Sequence, residues 1–322
     1  MFRKQLPAAL FALALSACGG ESGTTNAGTP TAGGGTPVQA PGAPPLGSTQ
    51  PPASPVYVSA RDFSKDRAVE DFGVRIQRFR TNARSPWQTE SLVTTTTLGV
   101  IGFTYRANPK SYHAVFLGEA EDFTRITPTA AWVGDQDYRL DDPNPVVSYF
   151  RAVQHYGSDP LYDLEYVGLV AWNYYNTLAT RGAEIGEREI RRLHLYGAIT
   201  EYVDLPTTGS SNYRSKFTPL IDRAESFDIT MNWATEEMTA SARIPCSSQE
   251  TCSGPDIGDI RLVGRFDGFR RILGTVSGSA GYTGTFVGGF YGPRALEIGI
   301  VGELRHATRT ENIFFTMSKR RD

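Results

Sequence analysis

Gly284–Glu303 reads GTFVGGFYGPRALEIGIVGE, with glycine every few residues among Phe, Tyr, Ile and Val. Glycine weakens a strand interior, so its recurrence in strand-like sequence needs a physical reason. A small sheet closing on itself supplies one: strands bend sharply and pack closely at barrel corners, and glycine permits both. Pro293 has no N–H to give to a central ladder, so Tyr291-Gly292-Pro293 reads as a turn or corner with a strand on each side. Leu296, Ile298, Ile300 and Leu304 then share one face of the second strand. Tyr291 has two readings: a plug at a barrel end with its hydroxyl on backbone, or a plain core aromatic.

The pattern continues upstream. In Phe227–Trp233 (FDITMNW), Phe227, Ile229, Met231 and Trp233 alternate with Asp228, Thr230 and Asn232. Ile260–Phe266 (IRLVGRF) alternates in the same way. Period two over short runs, separated by Gly, Pro, Asn and Asp clusters, means half-buried antiparallel strands. Further runs at 164–175, 190–202, 238–244, 271–277, 283–290 and 313–318 complete an all-β pattern of the sandwich or barrel class. Helix is scarce: SYFRAVQH at 148–155 has room for two turns, and 183–192 is ambiguous.

The start of the chain is of another kind. Arg3 and Lys4 precede an apolar run, LPAALFALAL, at 6–15. It is shorter than the ~20 residues a bilayer span needs, which marks residues 1–17 as a signal peptide. Leu15-Ser16-Ala17-Cys18 resembles the bacterial lipobox, in which the cysteine is acylated, palmitate included, and becomes the mature N-terminus. Gly19 in place of Asp favours the outer membrane in enteric-type sorting. Residues 18–55 are rich in Gly, Pro, Thr and Ser with almost no large apolar side chain, the composition of a disordered tether. Without Arg3 and Lys4 the 32 basic residues become 30 against 34 acidic ones, a balance that forecasts no nucleic-acid partner. Cys246 and Cys252 flank a polar loop with no His within forty residues, which in an exported protein reads as a disulfide staple rather than a metal site.

Here a family becomes visible. Gly289-Phe290-Tyr291-Gly292-Pro293-Arg294-Ala295-Leu296-Glu297-Ile298-Gly299 resembles the G-x-F-Y-G-P-x-A-x-E-x-G signature of the transferrin-binding-protein-B-like surface lipoproteins. Tyr196-Gly197 with Thr200, followed by Leu205–Tyr213 (LPTTGSSNY), is similar to that family's strand–loop–strand, with Ser211 in place of the usual Ala. Leu164-Glu165-Tyr166-Val167-Gly168 with Trp172 is similar to its opening barrel strand. Two departures are Gly299-Ile300, where the family has a double glycine, and a length that fits one handle–barrel pair rather than two lobes. The resemblance implies a β-rich handle over 56–160 and a packed, eight-stranded antiparallel barrel over 161–322. It also implies a monomer held by lipid at the cell surface, with haem or an iron-carrier protein as the partner.

No G-x-S-x-G, H-E-x-x-H, P-loop or G-x-G-x-x-G after a strand occurs, so an enzyme is not expected and no resident cofactor is implied. Asp135, Asp137, Asp141 and Asp142 sit in a turn-rich stretch that lacks the EF-hand spacing for Ca²⁺ and reads as solvated acids. Haem iron takes His or Tyr, and of His113, His155, His194 and His306 the pair His155-Tyr156, beside the expected domain junction, is the haem candidate. His194 alternates with Leu193 and Leu195 and so faces away from them. A transmembrane β-barrel is the architectural rival, disfavoured by short strands and the terminal Lys319-Arg320-Arg321-Asp322. The sequence therefore predicts a ligand- or host-protein-binding lipoprotein in iron, haem or other nutrient acquisition. Its alternative is an envelope scaffold with no small ligand. A binder is distinguished by an apolar patch at the loop tips or the handle–barrel seam.

Overall fold

The computed structural model describes residues 54–60, 62–70, 72–95, 100–124, 136–141, 146–153, 164–214, 227–244, 257–268, 270–308 and 313–321. Cys18, Cys246, Cys252, His155 and Tyr156 lie outside them, as do residues 1–53, the expected signal peptide and nearly all of the expected tether. Apart from short 3-10 turns, the described secondary structure is strand. Among the described residues no helix is long and apolar enough to cross a membrane.

Eight strands close the barrel in chain order: β11 (Ser210–Arg214), β12 (Phe227–Asn232), β13 (Glu237–Ile244), β14 (Gly258–Phe266), β15 (Ile272–Gly278), β16 (Tyr282–Tyr291), β17 (Glu297–His306) and β18 (Ile313–Arg321). Closure is made by β11 on β18, Tyr213 opposite Arg321. The alternation read from the sequence is the inside–outside alternation of this wall. Ile229, Met231, Trp233, Ile260, Leu262, Phe266, Phe286, Phe290, Ile298, Ile300 and Leu304 fill the interior. Trp233 and Phe290 lie with ring centroids 4.7 Å apart, and the indole N–H of Trp233 donates to Ser211 Oγ at 2.8 Å. An eight-stranded barrel is just wide enough for its own side chains to fill it, and here they do.

The handle comprises two further sheets. One has four strands, ordered β1 (Arg67–Glu70), β4 (Ile101–Ala107), β5 (Lys110–Phe116) and β6 (Glu119–Phe123). The other has six, ordered β3 (Gln88–Thr95), β2 (Phe72–Arg80), β10 (Glu184–Gly197), β9 (Val167–Arg181), β8 (Val146–Val153) and β7 (Gln136–Asp141). Two expectations are corrected here. Leu164–Gly168 with Trp172, expected to open the barrel, instead leads into β9 (Val167–Arg181), paired with β8 and β10 in the six-stranded sheet. The two turns of helix expected at 148–155 are strand β8, paired residue for residue with β9 from Val146 to Val153. The ambiguous stretch 183–192 is also strand, β10.

The reason lies in what the six-stranded sheet touches. One face, with Val170, Trp172 and Tyr196, packs on Phe103, Tyr105, Tyr112 and Phe116 of the four-stranded sheet. The other, with Phe72, Val74, Leu169, Leu193 and Leu195, packs on Val287, Tyr291 and Val301 of the barrel's outer wall. A strand covered on both faces loses the alternation that marks a half-buried one. VGLVAWNYY in β9 is such a run.

Beyond this sandwiched region the long β9 and β10 continue, and paired charges replace the apolar faces. Arg78 meets Glu189 and Arg80 meets Glu187, both at 2.5 Å, and Arg188 meets Glu90 at 3.0 Å. Arg192, nearly fully buried, pairs with Glu119 and lies 4.0 Å above the ring of Trp172. Stacking on an aromatic face and pairing with a carboxylate together offset the cost of taking a guanidinium out of water.

Candidate functional site

The glycine-rich signature builds the seam between handle and barrel. Inward residues of β16 fill the core, while outward Val287, Gly289 and Tyr291 meet the handle. A Cβ on Gly289 would lie 2.9 Å from the ring of Phe72 on β2. One on Gly299 would lie 3.0 Å from Val167 and 3.2 Å from Leu195. These glycines therefore serve close packing, one of the two reasons read from the sequence, and what approaches at Gly289 and Gly299 is a second sheet outside the wall. Inside the barrel the same device makes room for one ring: a Cβ on Gly274 would lie 2.4 Å from Phe286. Tyr291 is a core aromatic, the second of the two sequence readings. The core it joins is the cluster that handle and barrel share, on the outside of the wall.

Glu297, fully buried at the start of β17, fixes the register of the two parts. Its Oε1 accepts from the backbone N–H of Glu165 at 2.7 Å, and its Oε2 accepts from those of Tyr166 and Val167 at 2.8 and 3.0 Å. One carboxylate thus serves three consecutive donors where the chain enters β9. The second motif forms the opposite lip. Thr200 donates its hydroxyl to the Gly292 carbonyl at 2.7 Å and its N–H to the Phe290 carbonyl at 2.8 Å. Gly292 N–H donates to the Ala198 carbonyl at 2.8 Å. Both sequence motifs are therefore halves of one joint.

The turn after Tyr291 is strained. Gly292, Arg294 and Ala295 have φ of 73°, 54° and 56°, and at the last two a side chain must occupy the left-handed region. Hydrogen bonds hold it there: Tyr213 hydroxyl on the Ala295 carbonyl at 2.9 Å, Arg321 Nη1 on the Arg294 carbonyl at 2.7 Å, and Arg294 N–H on Asp204 Oδ2 at 2.8 Å. Burial pushes the Tyr213 hydroxyl's pKa well above the ordinary tyrosine value.

Asp204 links this turn to the rim of the seam. Its Oδ2 also accepts from the Tyr57 hydroxyl at 2.9 Å, and that oxygen in turn accepts from Glu201 N–H at 3.1 Å. Burial first, then the bond to Asp204 and the nearby carboxylates, push the Tyr57 pKa up to about 12. Arg270 pairs with Glu201 at 2.6 Å. On this polar frame stand four apolar side chains that the fold leaves in water: Val56, Val58, Tyr202 and Val203, at 91, 49, 61 and 85 % exposure. A groove runs between the 55–58 segment and residues 198–201. No periodicity in the sequence flags these four, because all of them sit outside strands.

The sequence candidates distribute as follows. His113 is on an exposed strand face, 2.8 Å from Asp122. His194 points away from Leu193 and Leu195 as read, is fully buried, and packs edge-on against Phe116. Burial, then the positive Arg192, pushes its pKa down to about 3, so it is neutral in the folded protein at ordinary pH. His306 lies beside Tyr282, with Nε2 3.0 Å from the Ala280 carbonyl. Asp137 and Asp141 lie on the edge strand β7, and Asp135 and Asp142 fall outside the described residues.

No family model matches the chain, and no curated protein does. Solved structures do. A point mutant of transferrin binding protein B from Haemophilus parasuis Hp5 is similar at 13 % identity over 78 % of this chain and 45 % of its own, with a TM-score of 0.41. Isotype 1 transferrin binding protein B from serogroup B Neisseria meningitidis is similar at 10 % identity over 79 and 43 %, TM-score 0.38. The N-lobe domain of lactoferrin binding protein B of Moraxella bovis is similar at 13 % identity over 78 and 99 %, TM-score 0.33. The chain thus spans less than half the length of the first two.

Proposed function

We propose that the protein is an outer-membrane lipoprotein, displayed at the cell surface through Cys18, that binds a macromolecular partner without chemistry. The observation that carries this reading is the cluster of Val56, Val58, Tyr202 and Val203 at the seam, held in water by a hydrogen-bonded frame. A barrel filled by its own side chains leaves recognition to its outside and to the joint between domains. A rigid scaffold carrying exposed apolar side chains is the common form of a binding surface. A lipid on Cys18 and a tether over residues 18–55 would hold such a surface in the aqueous phase. The sequence signature adds the theme of iron or haem acquisition, with an iron-carrier protein as the partner.

The test uses the detergent-solubilised full chain against iron-loaded transferrin, iron-loaded lactoferrin and haemin. Saturable binding of a carrier protein, weakened at least tenfold by Tyr202→Ala with Val203→Asp, is the expected result. Haemin binding lost on replacing His155 and Tyr156 would move the ligand to haem. Retention of none of the three makes the envelope scaffold the better reading.

A further inference from the structure

A second surface, remote from the seam, carries its own chemistry. The outward residues of β12 to β15 fall into two adjacent cross-strand rows. Register places Thr230 opposite Thr239, Thr239 opposite Val263, and Val263 opposite Thr275. The same pairings place Asp228 opposite Ser241, Ser241 opposite Arg261, and Arg261 opposite Ser277. All eight side chains are exposed. The first row presents a methyl at every position and a hydroxyl at all but Val263. The second presents a carboxylate, two hydroxyls and a guanidinium. The rows are two residues apart along each strand, ~6.7 Å, and span three strand spacings, ~14 Å. Among the described residues, the barrel side chains in the cluster shared with the handle are Val287, Tyr291 and Val301 of β16 and β17, with Leu273 of β15 packed against it, short of Thr275 and Ser277. A shallow concavity is centred on the second row, bounded by Asp259 and Ser279.

We infer that this wall is a binding site for a neutral oligosaccharide. A pyranose has an apolar C–H face and a rim of hydroxyls that donate and accept. The methyl row matches the face, and the polar row matches the rim. Asp228 accepts only, Arg261 donates only, and Ser241 between them does both. Two strand spacings, ~9.6 Å, separate the backbones of Asp228 and Arg261, with Ser241 between them, so a ligand lying across Ser241 can meet both. Elsewhere on the described surface the Arg and Glu side chains of the handle are largely committed to one another, as at Arg78–Glu189, Arg80–Glu187 and Arg188–Glu90. Asp259 at the edge of the concavity lies 3.7 Å from Arg243, so two carboxylates and two guanidinium groups share this wall, a balance that selects against strongly charged polymers.

The full chain is titrated against an immobilised panel of neutral gluco-, galacto- and manno-oligosaccharides. One arm carries desialylated glycans released from host-type glycoproteins, and another carries the neutral outer-core hexoses of a bacterial lipopolysaccharide, freed of phosphate and acidic sugars. Saturable retention of at least one neutral oligosaccharide is expected, and the arm that contains it identifies the source. Asp228→Ala with Arg261→Ala should weaken it at least tenfold, and Ser241→Tyr should abolish it by filling the concavity. Tyr202→Ala at the seam should leave it unchanged, which separates this site from the one proposed above. Because the substituted positions are exposed, the variants should keep the parent melting curve. No retained oligosaccharide, or retention unaffected by the wall variants, overturns the inference.

Discussion

The barrel and the handle are both built from antiparallel strands, but they solve the problem of a sheet's two faces differently. The barrel curls so that one face of every strand is inside: β13 alternates exposed and buried along its whole length. The handle's six-stranded sheet stays open and is covered on both sides near the seam, by the four-stranded sheet and by the barrel. Where the cover ends, its faces carry Arg–Glu pairs and the cation–π stack of Arg181 on Phe79. The barrel's core is therefore its own, while a large share of the handle's core is an interface. The joint between them should be where the molecule is most sensitive, and the barrel's outer wall where it is most tolerant.

Glu297→Ala is the severest test of that contrast. It deletes a fully buried acceptor that serves three backbone N–H groups where the chain enters β9. Removing one side of a buried charged hydrogen-bond set costs about 3–5 kcal/mol. Residues 53–322 form one compact unit, so the parent should unfold in a single denaturant transition. The variant should lose several kcal/mol, and its unfolding should separate into a handle step and a barrel step. A loss under about 1 kcal/mol with one transition retained would show that apolar packing alone welds the joint.

The same contrast explains what could be read in the sequence. Barrel strands with one wet face declare themselves by alternation, and the inward sets Ile229/Met231/Trp233 and Ile260/Leu262/Phe266 lie where the pattern puts them. β9 has no wet face near the seam, so its apolar run carried no information about which sheet it joins. The signature glycines were legible as close-approach positions, but sequence alone could not say whether the approaching atoms came from a neighbouring strand or from another sheet. Of the candidate site, Glu297 and Thr200 lay within recognisable motifs. Tyr202 and Val203 carried no local signal, because exposure of an apolar residue depends on what the fold fails to place over it.

Acid should open the molecule from the handle side. His194 is fully buried against Phe116, between the two handle sheets, and its pKa is pushed down to about 3, from an ordinary 6.5. Below pH 6.5 the unfolded chain takes up a proton at this position and the folded chain does not. The stabilising difference is therefore complete above pH 6.5 and is lost as pH falls toward 3, at about 1.4 kcal/mol per pH unit. At pH 4.5 this single group should remove ~2–3 kcal/mol. His194→Phe should flatten that part of the stability-versus-pH curve, whereas His113→Phe, at an exposed position, should not. Equal slopes for parent and His194→Phe would place the acid sensitivity elsewhere.

The smallest effect compares two neighbours on one strand of the barrel wall. Gly289 and Thr285 both point outward from β16, yet the handle covers the first and water the second. Gly289→Val would place its Cβ 2.9 Å from the Phe72 ring and 3.2 Å from the Arg270 carbonyl, so the ring or the strand must shift. Phe72 is fully buried in the shared cluster and has no free space to enter. Overpacking of this kind costs about 1–3 kcal/mol, here charged to the joint rather than to the barrel core. Thr285→Val keeps the β-branched shape that suits a strand but takes the 3.2 Å hydroxyl donor from the buried Glu303, which keeps its pairing with Arg305 at 3.0 Å, so it should cost about 1 kcal/mol. Measured by urea unfolding, the pair should differ by about 1 kcal/mol. If Gly289→Val proves as mild as Thr285→Val, the handle can slide on the wall. The seam would then be held by Glu297 and the Thr200 hydrogen bonds, with the glycine surface serving only as a place to slide.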